Sequence, residues 1–189
     1  MNRGYFQKFQ IKDVVFLAIM SAVALATCAV MPLVISLQPL IFGISQLVTA
    51  LQIGVFFAIG LYKVRKPGSL LIMALMMGLI QLMMSPPMFL SSVLNGILIE
   101  LIVLLLFRGY ERDTAVFVAA MLHTPLSLPF NYIYNRLVKG ADSPLAAVAD
   151  RAPLAAVGMT LAVVAVSALG ALIGIKIARE LKKSGVLKK

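Results

Sequence analysis

The sequence predicts an all-α integral membrane protein. It reads as a single domain over residues 1–189, with six transmembrane helices and both termini in the cytoplasm. Three observations predict this. Hydrophobic residues make up 61% of the 189 and charged residues only 13%, where a soluble domain carries about a quarter charged; mean hydropathy is +1.01. The apolar residues gather in six runs, each near the roughly 20 residues that cross a hydrocarbon core. The basic residues fall on one side once those runs alternate in direction.

The first run spans about Val14 to Pro32, with Asp13 as its expected N-cap. It is longer than the apolar core of a signal peptide and has no clear cleavage site before Pro32. The second runs from about Leu40 to Tyr62 and the third, a short one, from about Ser69 to Met84. The fourth spans about Met88 to Phe107 and the fifth Thr114 to Asn135, with Asp113 as expected N-cap. The sixth, a long one, spans about Leu154 to Ala178. Pro67 and Pro153 suit the first turns of the third and sixth, where no amide donor is needed.

The net charge of +10 is unevenly placed. Fourteen of the 17 basic residues precede the first run, join the second to third and fourth to fifth, or follow the sixth. Only Arg136, Lys139 and Arg151 lie on the other side. That asymmetry places both termini in the cytoplasm. The basic residues are juxtamembrane and scattered, so the charge argues for no nucleic-acid partner. The single cysteine, Cys28, excludes an internal disulfide and reads as a small buried hydrophobe.

The connections differ by side. "KVRKPG" and "RGYERD" are short and charged, whereas "PLVISLQPL" and "SPPMFL" carry no charge. The latter two are expected to fold back over an opening in the bundle, the alternative being rest in the lipid interface. The link from about Arg136 to Ala152 reads as a solvated connector or part of the mouth. Ala18, Ala22 and Ala26 recur every four residues and share one helix face. Gly170 and Gly174 form a GxxxG. Both patterns let a second helix approach closely, either within the bundle or in another chain.

Glu100 is the acid to explain, inside the fourth run and far from any base before Arg108. It lies on the order of 12 Å from that end of its helix, and His123 about 13 Å along the antiparallel fifth. The two are expected at similar depth, either paired with each other or each satisfied by a separate partner. Outward of them stand Ser92 and Asn95, then Asn131, Tyr132, Tyr134 and Asn135 beyond Pro125 and Pro129. Prolines that interrupt a membrane helix usually mark a lined cavity. The expected site is therefore a cup of amides, hydroxyls and rings with Glu100 at its floor. It would suit an aminopyrimidine or a cationic azolium. Tyr132 and Tyr134 also suit an interfacial belt.

Six helices with both ends inside, the AxxxAxxxA face and the basic tail "GIKIARELKKSGVLKK" resemble the substrate-binding S component of an energy-coupling factor (ECF) vitamin transporter. "YKVRKPGSLL" and "NGILIELIVLLLF" resemble more narrowly the hydroxymethylpyrimidine/thiamine branch, with a cobalamin-precursor branch close by. The resemblance implies capture of a small-molecule vitamin or precursor from outside. It implies delivery inward with a T component and two ATPase subunits, and docking of the T component on Ala18, Ala22 and Ala26. No catalytic, metal or cofactor motif is present, and no Walker loop, so ATP hydrolysis would belong to the partners. The competing expectation is a membrane scaffold or assembly protein in which Glu100 and His123 only hold helices together.

Overall fold

The computed structural model describes residues 8–29, 33–34, 36–138, 140 and 143–186. These fold into seven α-helices: α1 (Ile11–Thr27), α2 (Ile44–Lys63), α3 (Ser69–Leu82), α4 (Pro86–Phe107), α5 (Asp113–Val138), α6 (Pro144–Arg151) and α7 (Pro153–Lys183). Four of them, α2, α4, α5 and α7, are long and apolar enough to cross a membrane. With 17 and 14 residues, α1 and α3 are shorter. At 1.5 Å per residue α3 reaches about 21 Å, less than a hydrocarbon core of roughly 30 Å.

The helix starts correct two expectations. Asp13 is not the N-cap of α1. Gln10 is, and Asp13, at the third helical position, closes a capping box by accepting the Gln10 amide at 3.1 Å. Asp113 is the first residue of α5 rather than the residue before it. "SPPMFL" is not a covering loop: Ser85 caps α4 and Pro86 occupies its first position, where a missing amide costs nothing. Pro67 stays outside α3, whose N-cap is Gly68 at φ +92°, a conformation that favours glycine. The connector after Arg136 contains the short helix α6, started by Ser143 and Pro144.

The most extensive packing is of α2 on α7, and small residues make it possible. A Cβ on Gly170 would meet the Leu51 carbonyl, and one on Gly174 the Val55 carbonyl. From the other side, a Cβ on Gly54 would lie 2.9 Å from the Ser167 carbonyl. The GxxxG is thus an internal seam where backbones touch. Around it a core of Leu17, Phe57, Leu61, Leu70, Met73, Ile99, Val103 and Val116 is closed to solvent. The outside is apolar too: Ile19, Leu101, Leu105, Leu161 and Leu169 are exposed, the pattern of a surface solvated by lipid.

The two ends of the bundle differ. At one, the "KVRKPG" turn is tied to α1 and α5, and α7 joins through a shared carboxylate. Arg65 pairs with Asp113 at the start of α5, and Arg179 near the end of α7 pairs with the same carboxylate at 2.6 Å. Lys66 pairs with Asp13 of α1 at 2.6 Å and donates to the Lys8 carbonyl at 2.9 Å. Lys63 lies over the Phe16 ring at 4.2 Å. At the other end the helices surround an opening.

Candidate functional site

The opening at the end away from these ion pairs is a cavity of about 560 Å³. Six helices line it. α2 contributes Gln46, Thr49 and Ile53, and α3 contributes Met77 and Gln81. From α4 come Met88, Ser91, Ser92 and Asn95; from α5, His123, Thr124, Ser127, Asn131, Tyr134 and Asn135. These spacings of three, four and seven mark a single helical stripe. The end of α1 adds Leu25, Cys28 and Ala29, and the start of α6 adds Pro144 and Leu145 beside the capping Ser143. Gln38 and Pro39 of the first connection also line it, with Gln38 Nε2 donating to Ser45 Oγ at 2.6 Å. The rest of "PLVISLQPL" falls partly outside the described residues.

Two prolines shape the α5 wall. Pro125 has no amide proton, so the Met121 carbonyl loses its helical donor. Ser167 of α7 replaces it, its hydroxyl donating to Met121 O at 2.8 Å. One turn on, Asn95 of α4 braces the interrupted segment. With its amide oriented to satisfy both neighbours, it donates to Leu126 O and accepts from Ser127 N, both at 3.3 Å. Ser92 donates to Ala74 O at 2.9 Å and ties α4 to α3. Nearer the mouth, Ser143 donates to Asn135 Oδ1 at 3.1 Å, linking α6 to α5.

His123 differs from these. It is buried against Phe57, ring centroids 4.4 Å apart, and neither ring nitrogen has a partner among the described residues. The Thr124 hydroxyl beside it is buried and equally unpartnered. Both line the cavity. A buried polar group without a partner is costly and uncommon. Here two adjacent cavity-lining residues hold buried hydrogen-bonding capacity that no described residue uses.

Of the expected cup, Asn95, Ser92, His123, Asn131 and Asn135 come together. Glu100 and Tyr132 do not line it. Glu100 and Asn95 are five residues apart, which turns the two side chains about 140° from each other around the helix. Glu100 faces the start of α3 instead. Its carboxylate accepts the Gly68 amide at 2.6 Å and the Tyr110 hydroxyl at 2.9 Å. The expected Glu100–His123 pair is therefore absent, since the carboxylate is engaged elsewhere. Tyr132 turns outward and donates to Asp150 at 2.7 Å, which also pairs with Arg136 at 2.6 Å. Gln38, Gln46, Thr49, Gln81, Thr124 and Ser127 are cavity residues that the sequence did not single out. For Gln46 and Thr49, a polar stripe at the start of an apolar helix was the available signal. Among the described residues no cluster of His, Cys, Asp or Glu side chains could hold a metal ion.

The family of hypothetical bacterial integral membrane proteins (Trep_Strep) matches residues 11–183 of this sequence. The chain belongs to this family. As a Trep_Strep protein it is a multi-pass protein of the cell membrane. The crystal structure of an S-component of ECF transporter has the same fold, at a TM-score of 0.65 and 22% identity, covering 95% of this chain and 89% of that one. No curated protein matches the sequence. On the Trep_Strep chain the face of α1 that carries Ala18, Ala22 and Ala26 is not an internal seam: Ala22 and Ala26 are exposed and Ala18 half-buried.

Proposed function

We propose that this protein is the substrate-binding membrane subunit of an ECF-type importer. Six helices cross the membrane with both termini cytoplasmic, and the cavity opens outward. It captures a vitamin or vitamin precursor of hydroxymethylpyrimidine or thiamine size. A T component docks on Ala18, Ala22 and Ala26 and, with two ATPases, drives delivery inward.

The observation that carries this reading is the cavity: about 560 Å³, within the roughly 300–1,000 Å³ of small-molecule sites. It sits at the end opposite the basic cluster and is lined by His123 and Thr124, whose buried polar atoms have no partner among the described residues. The fold of an S-component of ECF transporter supports it. So does a small-residue face left open on α1, suited to close approach by another helix.

Cys28 supplies the test, because the only cysteine of the chain lines the cavity. Protein purified in mild detergent is denatured and its released small molecules identified by mass spectrometry. The released compound is then returned to protein freed of it, and alkylation of Cys28 is timed. A stoichiometric compound that slows alkylation is expected. Purification without any bound small molecule, and alkylation indifferent to candidate vitamins, would leave the scaffold reading in place.

A further inference from the structure

We infer that the cavity selects an uncharged, hydrogen-bonding ring compound, and that His123 and Thr124 are the contacts that read it. This rests on the importer reading and names the substrate class of the same site. Among the described residues the lining contains no Asp, Glu, Lys or Arg. The acids flanking it are committed: Glu100 to Gly68 and Tyr110, Asp150 to Arg136 and Tyr132. A permanently charged ligand would leave water for a site that offers it dipoles and rings but no opposite charge, and that desolvation is not offset.

Recognition then falls to neutral donors and acceptors. A neutral imidazole offers one of each, and a hydroxyl both. His123 and Thr124 follow one another on α5, are buried, and have no partner among the described residues. Asn95 and Ser92, by contrast, spend hydrogen bonds on the scaffold. A compound that completes the His123 and Thr124 valences is therefore favoured over one of the same shape that cannot. Sites built this way discriminate strongly, because the wrong ligand leaves buried groups unpaired. The Phe57 ring lies against the imidazole, centroids 4.4 Å apart, and limits how far it can turn.

A matched pair of probes separates charge from shape: hydroxymethylpyrimidine, which is neutral, and thiamine, which carries the same aminopyrimidine on a permanent cation. Calorimetric titration of the full chain in detergent is expected to show hydroxymethylpyrimidine binding at least about tenfold tighter than thiamine. His123→Ala and Thr124→Val should each weaken it by about 10- to 100-fold, and His123→Gln, which keeps a donor and an acceptor, by less than His123→Ala. Melting temperatures of the ligand-free variants, at or above wild type, show that these losses are not unfolding. Asp142→Asn, at an acid outside the described residues, should leave both affinities unchanged. Thiamine binding as tightly as the neutral ring overturns the inference. So does unchanged affinity in both His123→Ala and Thr124→Val, or a loss of binding in Asp142→Asn. Binding of neither probe also overturns it, while the importer reading then stands or falls separately on whether any small molecule co-purifies.

Discussion

Gly68 begins α3 without a side chain to cap it, and the helix therefore takes its cap from a neighbour. Glu100 of α4 accepts the Gly68 amide, and the first-turn amides of Leu70 and Leu71 also face it. A carboxylate at a helix N-terminus satisfies orphan donors and complements the positive end of the macrodipole. The Tyr110 hydroxyl completes its coordination and anchors the "RGYERD" link. An acid within an apolar helix thus has an architectural use, its carboxylate spent on the start of α3 and on Tyr110. The sequence showed its depth but not its azimuth: a depth count pairs Glu100 with His123, while the 100° per residue turn separates Glu100 from the Asn95 stripe. We expect Glu100→Leu to cost about 1.5–3 kcal/mol, the range for a hydrogen bond to a charged group. Glu100→Gln, which keeps an acceptor, should cost less. Both should bind ligand like wild type. Melting temperature and calorimetric affinity, measured together in detergent, check this; weakened affinity at an unchanged melting temperature would return Glu100 to the binding site.

Helix boundaries were legible to within a few residues because they are set by local chemistry. Pro153 begins α7, Gly68 and Pro67 precede α3, and charged links end α2 and α4. The short α6 was not legible, since "PLAAVADR" has too few apolar positions to stand out as a run. The partner of the GxxxG could not be read either, because small-xxx-small spacing shows that a helix approaches and not which one. The structure assigns it to α2, and the same α7 face carries Ser167 to the Met121 carbonyl. That contact couples two elements through a missing proton. Ser167→Ala should destabilise by about 1–3 kcal/mol, the cost of an unsatisfied buried group. Pro125→Ala restores the amide that the helix would normally offer to Met121. In that background Ser167→Ala should cost less, and the double-mutant cycle reads the coupling directly. Equal costs in both backgrounds would mean that the serine does not replace the proline's lost bond.

At the scale of the whole molecule, the larger ion-paired cluster and the cavity occupy opposite ends. Asp13, Asp113, Arg65, Lys66 and Arg179 knit one end into an ion-paired plate, while amides and hydroxyls surround the opening at the other. The plate holds its basic residues beside the membrane, where anionic lipid and the insertion machinery favour them on the cytoplasmic face. Six alternating spans would put fourteen of the 17 basic residues on that side, so reversing such a molecule would carry most of them across the bilayer. Orientation therefore decides function: only with the plate inside does the cavity meet extracellular solute. Two single-cysteine reporters in a Cys28→Ala background test it. Met83→Cys, at a site 90% exposed beside the cavity mouth, should react with a membrane-impermeant maleimide in intact cells. Ser184→Cys, exposed just beyond α7 at the basic end, should react only after permeabilisation. The reverse pattern would place the cavity in the cytoplasm and remove the basis for uptake. Labelling of both reporters in intact cells would mean that the two ends do not lie on opposite faces of the membrane.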